Sequence, residues 1–273
     1  MKKICKCIYL LGIATTITAT TCTFAVPQIF QMSIASQNSG FQSIINDSGI
    51  EVYKKDSVQG HSEYVTVVNT QKATINNLVG AVNIPNGTIS KKVLSEFWQD
   101  ATNQNTPTKK ARVVINGTFF STNDDPTGIA FGLKVGGKVI TYGYAIGKEY
   151  PGLIRVFEFD RVGGGGSISP YRKNIFENKL STDIVGGLDV TANKSANRYL
   201  PRTFVGINRD GKIIFYSSNY ARQIDATNTL KAFGAKEMVM LDGGGSTGMI
   251  IDGKPAIATN RAIPHAIALY SGK

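Results

Sequence analysis

The chain has 273 residues, 42% of them hydrophobic and 18% charged, with 29 glycines and a formal charge of +11. That balance suits an ordinary globular protein, and the glycine content favours turns and sharp backbone corners over long helices. The basic residues are scattered, with no basic helix and no aromatic-rich binding motif. The charge therefore points to an anionic surface or substrate and away from nucleic acid.

In chain order, the first segment has the form of an export signal. "MKKICKCIYLLGIATTITATTCTFA" carries Lys2, Lys3 and Lys6, then a weakly apolar threonine-rich stretch, and ends at Thr23-Phe24-Ala25, the small-x-small pattern that a signal peptidase accepts. Cleavage after Ala25 is expected, with an uncleaved N-terminal anchor as the alternative. "ATTC" lacks the aliphatic residue of a lipoprotein box, so Cys22 is not expected to be lipidated. Cys5, Cys7 and Cys22 all lie in this segment. The processed chain would have no disulfide, no thiol nucleophile and no thiolate metal site. Its charge would be +8 without Lys2, Lys3 and Lys6, and its core alone would carry the stability, for which roughly 240 residues suffice. No later segment is long and apolar enough to cross a membrane, so the expected location is periplasmic, cell-surface or secreted.

Residues 26–48 are rich in Ser, Gln and Asn and read as a tether or irregular lead-in. From Gly49 to Lys273 a single α+β domain is expected, with mixed β-sheets rich in hairpins and a few packed helices. "EVYKK", "YVTVVN", "IAFGLKV", "KVITYGYA", "IRVFEF", "TFVGIN", "KIIFYSS", "GMIID" and "HAIALY" are β-branched and aromatic runs of strand length. Gly136-Gly137, Asp210-Gly211 and Asp252-Gly253 are two-residue hairpin signals between them. Ser90 can cap a helix carrying Val93, Leu94, Phe97, Trp98 and Ala101 on one face. Asp225 or Thr227 can cap a second, with Leu230 and Phe233 inward and Gly234 ending it.

Both helices are followed by an apolar strand that ends in a polar residue and glycine, "ARVVI" into Asn116-Gly117 and "EMVML" into Asp242-Gly243. Such a strand delivers its last side chain to a sheet edge, and the glycine lets another group approach the backbone closely. After Asp242 come Gly243, Gly244, Gly245 and Ser246, whose bare N–H groups can form an anion cradle. A nucleotide P-loop would need a lysine after its last glycine, and Ser246 stands there. "GGGG" at Gly163–Gly166 also lacks that lysine and reads as a flexible loop between strands. Gly244-Gly245-Ser246-Thr247-Gly248 matches the G-x-S-x-G nucleophile elbow, with Asp252 and His265 following in triad order. The elbow requires a helix directly after the serine, whereas "TGMIIDGKPAI" reads as a hairpin.

"VVINGTFF" (Val113–Phe120), the segment around Gly132–Ile140, "DIVGG" (Asp183–Gly187), "PRTFVGIN" (Pro201–Asn208), "MLDGGGST" (Met240–Thr247) and "NRAIPHAIAL" (Asn260–Leu269) stand in the order found in the phosphodiester glycosidase domain. The chain resembles that family over roughly residues 50–272, with Thr118 in place of the usual smaller residue after Asn-Gly. The family includes the enzyme that removes N-acetylglucosamine from a phosphodiester on mannose 6-phosphate glycans; bacterial relatives exist, and the export signal here has a bacterial look. The resemblance implies an exported hydrolase of sugar-1-phosphodiesters, acting on a sugar-phosphate or anionic glycan.

On that reading Arg202 and Arg261 are bidentate partners for phosphate oxygens, and Gly117, Thr203, Gly243, Gly244, Gly245 and Ser246 line the substrate. Asn116 would position a sugar hydroxyl or the phosphate. Asp242 would act as nucleophile, as base for water, or as stabiliser of an oxocarbenium-like centre. A second carboxylate is sought among Asp124, Asp125 and Asp183. No cofactor is called for, and a hard divalent cation on exposed acids such as Asp124 and Asp125 stays open. A non-catalytic glycan- or phosphate-binding envelope module, and a serine hydrolase using Ser246, are the competing functions.

Overall fold

The β-branched runs form antiparallel strands, seen in a computed structural model that describes residues 40–57, 59–84, 86–160 and 164–273. The predicted export signal, residues 26–39 of the predicted lead-in and Gly163 of the glycine run lie outside the described residues. The chain opens with a meander of β1 (Gln42–Asp47), β2 (Ile50–Asp56) and β3 (Ser62–Val68). Next come β4 (Ala73–Val79) and the short β5 (Val82–Asn83) and β6 (Thr88–Ile89). Helix α1 (Leu94–Thr102) leads into β7 (Lys109–Asn116). After β8 (Thr127–Gly128) come the hairpin of β9 (Leu133–Val135) and β10 (Lys138–Thr141), then β11 (Ile154–Phe159) and β12 (Gly166–Pro170). The short α2 (Lys173–Glu177) precedes β13 (Asp183–Leu188) and the long hairpin of β14 (Leu200–Asn208) and β15 (Ile213–Ala221). Helix α3 (Gln223–Ala232) crosses to β16 (Ala235–Met240), and β17 (Met249–Ile251), β18 (Lys254–Ile257) and β19 (His265–Gly272) complete the chain.

The largest sheet runs β1-β2-β3-β15-β14-β16-β13-β11-β12, with the β9–β10 hairpin joined to β13; a second runs β18-β17-β7-β19-β4, and a small third β5-β6-β8. The protein is therefore mostly β. The expected mixed pairing is corrected, because every ladder among the described residues is antiparallel, including those on either side of β14 and β7. The reason is visible at α3: it carries the chain from β15 to β16 over β14, so the two strands that run in the same direction are separated by a third.

The principal core lies between the two larger sheets. Val205, Ile207, Ile213 and Phe215 face Val113, Ile115, Ile267 and Leu269 there. Their alternate neighbours Phe204, Ile214 and Tyr216 point to the opposite face and pack with Leu230 and Phe233 of α3 and its end. Period-two alternation thus fills both faces of β14 and β15, which is why their sequences read as nearly continuous apolar runs. Phe97 is fully buried under α1, and truncating it to alanine would cost about 3–5 kcal/mol.

Three boundaries differ from expectation. Residues 42–47 of the predicted lead-in form an edge strand on β2, and Phe41 is buried edge-on against Phe233 at 5.3 Å. Helix α1 begins after Val93, not Ser90: the Glu96 carboxylate accepts the Val93 N–H at 2.9 Å, and Lys92 is held by a bridge to Ile263. Helix α3 begins before Asp225, whose carboxylate accepts the Arg222 N–H at 3.0 Å. In both helices the acid caps from inside the first turn, where it also meets the positive end of the helix dipole. The Gly136-Gly137 and Asp252-Gly253 turns are two-residue hairpins, whereas strand pairing at Asp210-Gly211 stops at Ile207 and Ile213.

Candidate active site

β7 and β16 belong to different sheets and end side by side. The Asp242 N–H donates to the Gly117 carbonyl at 3.1 Å, and Asn116 Nδ2 donates to the Asp242 carbonyl at 2.7 Å. Asn116 Oδ1 accepts from Thr203 Oγ1 at 2.7 Å and from the Gly248 N–H at 3.3 Å. Asn116 and Thr203 are both buried. Their polar atoms sew the strand ends together, and Thr203 also lines the cleft that holds Asp242.

Gly117 has a structural reason to be glycine. A Cβ there would lie 1.9 Å from His265 Nδ1. That nitrogen accepts the Thr118 N–H at 3.1 Å, so Nε2 carries the ring proton and donates to Asn77 Oδ1 at 2.9 Å. Burial pushes the His265 pKa down to about 3, and the ring is a neutral brace. Asn77 Nδ2 in turn donates to Asp183 Oδ1 at 3.1 Å. Asp183 is buried in this network, which corrects its candidacy as a second site carboxylate. The serine triad is not assembled either. Ser246 Oγ accepts from Arg261 Nη1 at 3.3 Å, Asp252 pairs with Arg112 at 3.1 Å, and the chain after Ser246 enters β17 instead of a helix.

Asp242 lies half-buried on the floor of a cleft of about 350 Å³, walled by Phe119, Tyr150, Gly243, Gly244 and the segment from Asn193 to Leu200. It is the sole acid lining that cleft among the described residues. Burial pushes its pKa up to about 6, against the opposing pull of the Ser246 hydroxyl, the Gly243 N–H, Lys194 and Arg261. A carboxyl group poised near neutrality can exchange a proton with a reacting group at physiological pH.

The glycine run is a single 3-10 turn. The Ser246 and Thr247 N–H groups bond the Gly243 and Gly244 carbonyls, and the Gly243 N–H bonds Asp242 Oδ1 at 2.9 Å. This leaves the Gly244 and Gly245 N–H groups at the open start of the turn. Gly244 sits at φ +60° with open space where a Cβ would be. Arg261 lies across Gly245, whose Cβ would come within 2.8 Å of the guanidinium carbon.

Arg202 differs from expectation most sharply. It is buried, and its guanidinium donates from Nε to the Ala221 carbonyl (3.2 Å), from Nη1 to Lys194 (2.8 Å), and from Nη2 to Ser195 (2.8 Å) and Arg198 (3.1 Å). Four of its five N–H groups are spent on the main chain, so no fork is presented to an anion. Lys194, absent from the sequence-based candidates, has its ammonium 5.3 Å from the Phe119 ring centroid and 5.5 Å from that of Tyr150. Asp124 accepts from Ser121 Oγ and Asp125 from the Lys91 N–H; both are exposed, and neither lines the cleft. No group of three or more His, Cys, Asp or Glu gathers among the described residues.

The sequence profile of the phosphodiester glycosidase family matches residues 76–270, from β4 to the end of the β19 core. The chain belongs to that family. Its fold is similar to the catalytic domain of zebrafish N-acetylglucosamine-1-phosphodiester alpha-N-acetylglucosaminidase, captured auto-inhibited by its pro-peptide: TM-score 0.57, 15% identity, 85% of this chain and 83% of that one covered. It is also similar to a hypothetical protein from Synechocystis, with TM-score 0.53 and 14% identity over 82% of this chain and 62% of that one. No curated protein matches the sequence. No helix among the described residues is long and apolar enough to cross a membrane.

Proposed function

We propose that the protein is an exported hydrolase that cleaves sugar-1-phosphodiesters at the glycosidic bond, on an anionic glycan or glycolipid of a bacterial envelope. Family membership supports the reaction class. The observation that carries the reading is a lone carboxyl group with a pKa near 6 on the floor of a cleft that also holds a cation.

One carboxylate suffices for this reaction. Water adds to the anomeric carbon and gives its proton to Asp242. The C1–O bond breaks, and its electron pair leaves on the phosphate oxygen, releasing free sugar and a phosphate monoester. The leaving group has a second pKa near roughly 6, so it departs without a proton donor. Most glycosidases supply that proton from a second carboxyl group, which the cleft lining lacks among the described residues.

The test is turnover of an aryl sugar-1-phosphodiester or a UDP-sugar. The unaltered protein should hydrolyse such a substrate, and Asp242→Asn should lower the rate by roughly 10²-fold or more, the scale of a lost acid–base group. Tight binding without hydrolysis across a panel of sugars would reduce the protein to a binding module.

A further inference from the structure

We propose that Lys194 is the residue that takes the phosphate charge of the substrate, and that Arg202 acts only through it, as the positioning residue of the Lys194 loop. This deepens, and rests on, the reading of the cleft as a sugar-phosphodiester site.

Among the described residues, Arg202 and Lys194 are the two cations lining the cleft. The first is consumed by main-chain carbonyls, two of which belong to Lys194 itself and to Ser195. The second keeps its ammonium on the faces of Phe119 and Tyr150. Ring faces fix a cation's position without neutralising it, so the charge stays available to an anion. A compact ammonium binds phosphate as a point charge and needs no fork geometry.

The backbone is strained on both sides of that ammonium. Among the described residues, four non-glycines have left-handed φ: Ser48, Tyr150, Ser195 and Asp252. Two of them line this cleft. Tyr150, at φ +49°, supplies one of the rings; Ser195, at φ +56°, directly follows the lysine. A bulky residue in that region persists only where its surroundings over-determine it, and such strain concentrates at functional sites.

The loop is also braced from within and from outside. The Lys194 N–H donates to Gln223 Oε1 at 2.8 Å, and Asn193 Oδ1 accepts the Ala196 N–H at 3.1 Å. On the outer side Tyr199 enters a stack in which Arg222 stands 5.1 Å from its centroid. Tyr220 lies 4.8 Å beyond at 16°, and His61 lies 4.0 Å further at 16°. An arginine spent on four carbonyls and a three-ring stack hold one loop still, and the cation in the cleft is what that loop carries. Preorganisation of this kind lets a charge meet a departing phosphate without reorganisation.

The test measures inorganic phosphate binding by calorimetry and steady-state kinetics on an aryl sugar-1-phosphodiester, for the unaltered protein, Lys194→Gln, Arg202→Gln and the double variant. Lys194→Gln should weaken phosphate binding and raise KM by at least tenfold, with an unchanged melting temperature. Arg202→Gln should weaken both and expose the loop around Lys194 to protease. The double variant should bind phosphate no more weakly than Lys194→Gln, because Arg202 has no separate contact to lose. Lys194→Gln binding phosphate like the unaltered protein, multiplicative losses in the double variant, or no phosphate binding by the unaltered protein would each overturn the proposal. If Arg202→Gln fails to fold, the Lys194→Gln arm still decides. If no sugar phosphodiester is turned over, the proposed function falls, while the phosphate arm still tests Lys194.

Discussion

Asp242→Asn should make the protein more stable at neutral pH while removing its activity. The carboxyl group titrates near 3.8 in an unfolded chain and near 6 in the cleft, raised chiefly by burial. A raised folded-state pKa means that the protonated form is favoured by folding. The associated stability is complete below pH 4 and is lost as pH climbs through 6. The shift of about two units corresponds to about 3 kcal/mol. Solvent reaching a half-buried group reduces that to about 1–3 kcal/mol at pH 8. Asparagine does not titrate, and its side-chain oxygen can still accept the Gly243 N–H. The variant should therefore match the unaltered protein near pH 4 and exceed it by that amount at pH 8, a gain of roughly 2–10 °C in melting temperature for a domain of this size. The assay is denaturant unfolding of both proteins at pH 4, 6 and 8, beside turnover over the same range. Turnover of the unaltered protein should rise with pH through about 6 as the base loses its proton. A variant less stable at pH 8, or a stability difference that does not change with pH, would refute the placement of a desolvated carboxyl group on the cleft floor.

Gly117→Ala should destabilise the fold by about 1–3 kcal/mol or more in denaturant unfolding, because its methyl group would stand inside the His265 ring; a neutral effect would show that the β7 end is mobile. With Asp242 as base for water, hydrolysis should invert the anomeric centre, read by proton NMR in the first turnovers, and retention would make Asp242 the nucleophile. A fluorophosphonate should leave Ser246 unlabelled in mass spectrometry, since its hydroxyl is buried and His265 faces Thr118 and Asn77. Dithiothreitol should not shift the melting temperature, because Cys5, Cys7 and Cys22 all precede the described domain.

The meeting of Asn116-Gly117 with Asp242-Gly243 was legible because two apolar runs of strand length each stop at a polar residue and glycine. The Gly136-Gly137 and Asp252-Gly253 hairpins were legible because both turn positions require left-handed backbone, and Asp252 and Gly253 adopt φ +47° and +81°. What the residues at 117 and 202 are for was not legible. A glycine after a strand signals a close approach without saying to what, and here it is the His265 ring. An arginine beside a strand suggests an anion, and here its partners are carbonyls supplied by residues 194–198 and 221. Lys194 and Tyr150 carry no local signal. The lysine sits in a polar turn and the tyrosine precedes Pro151-Gly152, and only tertiary structure stacks one upon the other. The helix starts were misplaced because Glu96 and Asp225 cap from the third helical position, while Ser90, the more conspicuous capper, donates its N–H to the Ala81 carbonyl in a neighbouring strand connection.

In the proposed reaction the bond broken is the one between the anomeric carbon and oxygen, not the one between phosphorus and oxygen. Hydrolysis of an aryl sugar-1-phosphodiester in ¹⁸O-water, followed by ³¹P NMR of the products, reads this directly, because phosphate oxygens do not exchange with solvent on the timescale of the assay. Attack at carbon releases an aryl phosphate with no ¹⁸O on phosphorus, and this is the predicted result, formed roughly 10²-fold or more slowly by Asp242→Asn. Isotope incorporated into a phosphate product would show attack at phosphorus and contradict the account.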